Sequence, residues 1–319
     1  MIVNKNKYSL KKAFSLIELS IVILIIGILV AGVTQSSRLI SQMRLMSARS
    51  ITLSSPVPTI KDLYSWQDSI SEKSFIETEA SNATGISAWY DINPTTINDR
   101  LNFVQTDNAR KPIYTAGAIN GYPGIYFNGA YFLKSERNVL PFFALGSATI
   151  FMVFNADNVV GQKFMLMHPI VNCAKNAEIG IGVANVTTGN FGVHAGCGIG
   201  TITNGGVISA SQPTIVSMAF LSSPLTAGTT ANIKIYKNGG TELPLVGSGG
   251  SYTQSLGGSY GNTLSPLLIG LRDDNNNGGY NSGFVGDIGE IVIYSRALNT
   301  EERQVVEKYL GKKWGIAVQ

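Results

Sequence analysis

The sequence predicts a mainly β protein. A long N-terminal α-helix, transmembrane at first and amphipathic beyond, leads into an antiparallel β-sandwich that ends in a short C-terminal helix. Three observations predict this. An apolar run of 21 residues, Phe14 to Thr34, carries Glu18 as its sole charge. Beyond Pro58, short segments rich in Ile, Val, Phe and Tyr alternate with turn dipeptides such as Asn120-Gly121 and Asn238-Gly239, the pattern of antiparallel strands. Helical patterning returns only near the C-terminus, which argues against alternating βαβ units.

Composition supports a packed chain. Hydrophobic residues make up 44% of the 319 and charged ones 14%, too apolar for disorder and enough for a sizeable core. The 35 glycines show no three-residue period, which assigns them to turns and not to a collagen helix. The formal charge of +4 misleads about partners. Lys5, Lys7, Lys11 and Lys12 fall in an acid-free leader, and beyond them 20 basic residues face 20 acidic ones. A nucleic-acid binder needs a retained basic surface, so that class is excluded.

At about 1.5 Å of rise per residue, the run from Phe14 spans a hydrocarbon core of roughly 30 Å. The four lysines assign its N-terminal side to the cytoplasm. The alternative is a secretory signal peptide cut near Ala31, but the run exceeds the usual ~7–15 residues and no clear Ala-x-Ala site follows. Leu39, Ile40, Met43, Met46 and Ser47 continue at helical spacing, with Arg38, Arg44 and Arg49 between them, until Pro56 and Pro58 forbid a helix. The expected division is a leader over 1–13, a helix over 14–55 with its membrane part at 14–34, a hinge over 56–60 and a sandwich over 61–316.

Lys11-Lys12-Ala13-Phe14-Ser15-Leu16-Ile17-Glu18-Leu19 resembles the prepilin peptidase site of type IV pilins and type II secretion pseudopilins. The resemblance implies cleavage between Ala13 and Phe14 and methylation of the new Phe14 amine. Glycine usually precedes the cut, and Ala13 departs from that. Gly27 sits where many pilins have glycine, whereas the proline that often follows is missing from Thr34 to Ser37. A carboxylate inside an apolar helix is costly and usually functional. In the family, the glutamate at the place of Glu18 meets the N-terminal amine of a neighbouring subunit and sets axial register. The implied partners are prepilin peptidase, other pilin or pseudopilin subunits and the bacterial inner membrane, with a periplasmic C-terminal domain that joins a pilus or pseudopilus on assembly.

Candidate strands include Ile86–Tyr90, Gly124–Phe127, Tyr131–Leu133, Ala148–Phe154, Lys163–Met167, Glu178–Ala184, Asn190–Ala195, Thr214–Phe220, Ala231–Lys237, Leu267–Leu271 and Gly289–Tyr294. Ala148–Phe154 is apolar on both faces and reads as a central strand. Asn128-Gly129 and Asn204-Gly205 add hairpin signals. The late helix is capped by Asn299 with Glu302 three residues on; Val305, Val306, Tyr309 and Leu310 make one face, and Gly311 ends it.

The stretch Phe284-Val285-Gly286-Asp287-Ile288-Gly289-Glu290-Ile291-Val292-Ile293-Tyr294-Ser295-Arg296-Ala297-Leu298, with Trp314-Gly315-Ile316, resembles concanavalin A-like jelly rolls of the laminin-G-like type. Ile86 to Asp91 and Asn120 to Gly129 fit the same pattern. The resemblance implies a jelly-roll sandwich of a kind that mostly binds glycans or proteins, and fold alone does not choose a function.

The candidate chemistry is sparse. Asp287 and Glu290 are three apart, so in a regular strand they face opposite ways and do not form a glycosidase pair. His168 and His194 lack a carboxylate or cysteine cluster at zinc spacing and read as ordinary surface or pocket residues. No serine sits in a nucleophile elbow, and the expectation is no catalytic residue. Asp273-Asp274-Asn275-Asn276-Asn277-Gly278 matches the start of a calcium loop, but its twelfth position is Phe284. Weak calcium binding and a plain polar connection both fit. Tyr280, Tyr252 and Tyr260 either stack on sugars or pack on the sandwich rim. Cys173 and Cys197 are the only cysteines and, in an oxidising compartment, are expected to pair. Two functions stay open: a structural minor subunit of a pilus or type II pseudopilus, and a subunit displaying a lectin-like domain to a glycan or host surface protein.

Overall fold

The computed structural model describes residues 15–96, 98–139, 147–161, 163–168, 179–183, 189–195, 201–221, 233–243, 245–247, 264–274 and 279–319. It forms two compact units, Met1–Met46 and Ser47–Gln319.

In the first unit, helix α1 (Leu16–Leu53) begins. Its segment Leu16–Val33, 18 residues, is long and apolar enough to cross a membrane and has none of its surface buried. At about 1.5 Å per residue that segment is roughly 27 Å long. Hydroxyls along α1 are satisfied within the helix. Ser20 Oγ donates to the Ile17 carbonyl at 2.8 Å and Ser36 Oγ to the Gly32 carbonyl at 2.8 Å.

The second unit contains the last turns of α1 and the sandwich. Its strands run β1 (Leu63–Asp68), β2 (Thr84–Gly85), β3 (Ala88–Trp89), β4 (Phe103–Val104), β5 (Ile113–Ile119), β6 (Tyr122–Asn128) and β7 (Leu133–Val139). Next come β8 (Ala148–Ala156), β9 (Lys163–His168), β10 (Ile179–Val183), β11 (Asn190–Ala195), β12 (Thr201–Val207) and β13 (Thr214–Phe220). They close with β14 (Ile233–Lys237), β15 (Leu245–Gly247), β16 (Ser265–Ile269), β17 (Arg272–Asp274), β18 (Gly279–Asn281) and β19 (Val285–Tyr294), before helix α2 (Thr300–Trp314).

Among the described residues, one sheet has the order β14-β13-β8-β19-β6-β5-β2, with β1 also on β19, and the other β15-β12-β11-β10-β9-β16-β7-β4-β3. The strand pairings within both are antiparallel. Ile125, Phe127, Ile150, Phe154, Phe191 and Ile288 belong to the core between the sheets, each worth roughly 1.5–3 kcal/mol of burial. β8 is central as its composition predicts, because its inner face meets this core. On its other face Phe151 lies edge-on to Tyr294, ring centroids 6.2 Å apart.

The long β19 organises the first sheet. Along one side it pairs with β8; along the other, Val285–Ile288 pairs with β6 and Glu290–Tyr294 with β1. Between those halves the register slips at Gly289, a β-bulge. A Cβ on Gly289 would lie 2.5 Å from Trp314 Cη2, so only glycine lets the α2 indole close against the strand.

Several local expectations need correction. Asn204-Gly205 lies inside β12 and makes no hairpin, while Asn120-Gly121 and Asn238-Gly239 are true turns with positive φ at both residues. Tyr131 precedes its strand, which starts at Leu133. Gly311 does not end α2: the helix runs on to Trp314, and Gly315 at φ 63° provides the left-handed cap. Gly311 instead accommodates Val318, whose Cγ2 would be 2.4 Å from an added Cβ.

Candidate functional site

The N-terminal candidates come first. Ser15 precedes α1, and its backbone N–H donates to Glu18 Oε2 at 2.9 Å. The Ser15 hydroxyl in turn accepts from the Ile17 N–H at 3.4 Å. The Glu18 side chain thus reaches back to the first turn as the acidic half of a capping box does, and the exposed Glu18 carboxylate engages its own helix end. A carboxylate there also favours the positive end of the helix dipole. Ala13 and Phe14 lie outside the described residues.

The candidates in the sandwich are scattered. Asp273 and Asp274 fall on β17, which pairs with β18 so that Asp273 faces Tyr280 and Asp274 faces Gly279 in register. Asn275 and Asn277 lie outside the described residues, as do Cys173, Cys197, Tyr252 and Tyr260. Among the described residues no group of three His, Cys, Asp or Glu side chains could hold a metal ion. His194 is on β11, opposite Gly180 and Thr201. His168 is not a surface residue. It is buried, its Nε2 lies 2.9 Å from the Val139 carbonyl, and burial lowers its pKa. The apolar β9 draws it inside.

Asp287 and Glu290 do not face opposite ways. The bulge at Gly289 inserts one extra residue, so both project away from the inter-sheet core that holds Ile288 and Ile291. They still form no glycosidase pair, because the Glu290 carboxylate is fully occupied. Oε1 accepts from Trp66 Nε1 at 2.8 Å and Tyr309 Oη at 2.9 Å; Oε2 accepts from Lys313 Nζ at 2.8 Å and Trp314 Nε1 at 2.7 Å. Burial raises its pKa, opposed by the Lys313 charge and reinforced by that of Asp68. Asp68 Oδ2 lies 2.7 Å from Lys313 Nζ and accepts from Thr52 Oγ1 at 2.9 Å. This cluster was missed from sequence. Its available signals were a lone glutamate in an apolar strand and a lysine beside a tryptophan.

One polar cavity of about 490 Å³ is bordered by Arg49, Ser71, Glu72, Phe75, Glu77 and Tyr114. Its cation is already engaged: Arg49 Nε donates to the Ile70 carbonyl at 3.0 Å and its guanidinium pairs with Glu72.

The N-terminal segment matches the prokaryotic N-terminal methylation motif over residues 8–34. No curated protein matches the chain in sequence. Solved structures show similarity at low identity. Domain 4 of AbnA, a GH43 extracellular arabinanase from Geobacillus stearothermophilus, is 16% identical, covering 62% of this chain and 80% of its own, with a TM-score of 0.41. Trypanosoma rangeli sialidase is 15% identical over 82% of this chain, with a TM-score of 0.48, and the match covers only 34% of the sialidase. A heptameric SAP-like pentraxin from Limulus polyphemus is 14% identical, covering 57% and 78%, with a TM-score of 0.36. Likeness at this level assigns no activity or ligand. What the chain combines is a prepilin-type methylation motif on an apolar helix with a β-sandwich domain behind it.

Proposed function

We propose that this protein is a minor pilin-like or pseudopilin subunit, and not an enzyme. Prepilin peptidase cuts it between Ala13 and Phe14. The helix then holds it in the inner membrane, with the sandwich on the periplasmic side, until it enters a pilus or type II secretion pseudopilus. The observation that carries this reading is the methylation motif over residues 8–34 lying on the fully exposed apolar segment Leu16–Val33. A sandwich spanning 61–316 is large for a major subunit that must pack beside many copies, which favours a minor one. We also propose that the domain is concanavalin A-like and displayed for adhesion or ligand binding. The β17–β18 hairpin, with Asp273, Asp274 and Tyr280 and with Asn275 and Asn277 between its strands, is its contact region for a glycan or a surface protein, and weak calcium binding there is part of this proposal.

Glu18→Ala tests the subunit role. The variant is expected to insert into the membrane normally but to be depleted from sheared filaments; wild-type incorporation would sink the reading. For display, the full chain in detergent goes to a glycan array and to calcium titration by calorimetry. Binding weakened by replacing both Asp273 and Asp274 with alanine supports display. Blank results, with binding to other pilin ectodomains instead, favour a purely structural subunit.

A further inference from the structure

Asp68 on β1 and Glu290 on β19 are register partners, and Lys313 reaches both from the last turn of α2. Its Nζ is 2.7 Å from Asp68 Oδ2 and 2.8 Å from Glu290 Oε2, and all three side chains are 0% exposed. Trp66, Tyr309 and Trp314 wall the cluster, each buried. As ions, two carboxylates and one ammonium leave one negative charge uncompensated in a site without water access, a costly state. A second buried pair among the described residues is Arg303 with Glu307, and arginine keeps its proton. The Lys313 ammonium has an acceptor for its proton in direct contact, Glu290 Oε2, and a free lysine amine is a nucleophile.

We propose that Lys313 and Asp68 condense spontaneously into an intramolecular amide bond, with Glu290 as the proton carrier. Lys313 Nζ passes a proton to Glu290 Oε2, and its freed lone pair attacks Asp68 Cγ to form the C–N bond. The carbonyl electrons move onto Oδ1, where the Ile70 backbone N–H already donates at 2.9 Å and stabilises the developing charge. Collapse expels Oδ2 as water. Both protons on that water come from the nitrogen, carried by Glu290, which ends in its starting state. A carboxylate and an ammonium become an amide and one water, with no oxidant or co-reactant. Thr52 Oγ1, donating to Oδ2, holds the leaving oxygen. The fixed contact between amine and carboxyl supplies the proximity that an intermolecular reaction lacks. Afterwards Glu290 retains the Trp66, Tyr309 and Trp314 donors, and the buried cation is gone. The bond ties β1, which follows shortly after α1, to the C-terminal helix. Its use under pulling load rests on the filament reading; the bond itself does not.

Tryptic mapping of the reduced, alkylated full chain decides this. Trypsin cuts after Lys61, Lys73 and Lys312 but not after an amide-linked Lys313. The expected product is a branched peptide joining residues 62–73 to residues 313–319, lighter than the two chains together by one water, with fragmentation placing the branch at Asp68 and Lys313. Recovery of linear 62–73 with free 314–319 would overturn the proposal, whatever any variant does. Glu290→Gln and Lys313→Arg are both expected to give linear 62–73; a branched peptide from Glu290→Gln would overturn the proton-carrier role.

Discussion

Asp287 is the residue whose burial should be felt in solution. It faces Asn155 across the β19–β8 ladder, and the Oδ1 atoms of both are buried with no hydrogen-bond partner among the described residues. Burial first, then the charge of Asp157, pushes its carboxyl from 3.8 up to about 7. The folded state therefore holds this proton more tightly than the unfolded chain. Its contribution is fully present below the unfolded value and is lost as pH rises through about 7, so stability falls with rising pH across that window. At about 1.36 kcal/mol per unit, discounted for the part solvent screens, the effect is on the order of 2 kcal/mol. Urea midpoints between pH 5 and pH 8 should fall more steeply for the wild type than for Asp287→Asn, which has no proton to lose. Parallel profiles would contradict the account. At this scale the sequence was legible where a charge stood alone in an apolar run, as Glu18 does. It was silent about Asp68, whose short strand looks polar, and it misplaced His168, because one histidine gives no burial signal.

β19 shows where element-level reading succeeds and where it stops. Its β-branched run announces a strand, as do those of β8 and β13. β1 and β5 went unforeseen because Ser65, Gln67 and Asp68 break the apolar pattern of the first, and Thr115 to Ala118 that of the second. The bulge at Gly289 is invisible to a period-two count, and it is what brings Asp287 and Glu290 to one face. Gly289→Ala should therefore cost about 1–3 kcal/mol of overpacking, since the new methyl meets the Trp314 ring. Chemical denaturation checks this; a midpoint within error of the wild type would show that the indole does not close on the strand. The late helix was legible from its start, the Asn299–Glu302 capping box, but not from its end. Gly311 and Gly315 look alike in sequence; the close approach of Val318 to the first and the left-handed φ of the second separate their roles.

For the whole molecule, the two-part organisation was readable because an uninterrupted apolar helix and a strand-rich region differ in period and composition. What the domain binds was not readable, since no cluster of chemistry-bearing residues declares itself in the sequence. The cysteines offer one check on the compartment. Cys173 and Cys197 lie outside the described residues. In an oxidising periplasm a disulfide is expected, stabilising by about 3 kcal/mol. Alkylation of the unreduced protein should leave both cysteines unlabelled, and two labelled thiols would contradict that placement. Peptide mass spectrometry of the mature N-terminus decides whether residues 8–34 form a working prepilin signal. A working signal leaves a chain beginning at an N-methylated Phe14; a chain beginning near Gly32 would mean an ordinary signal peptide and contradict it.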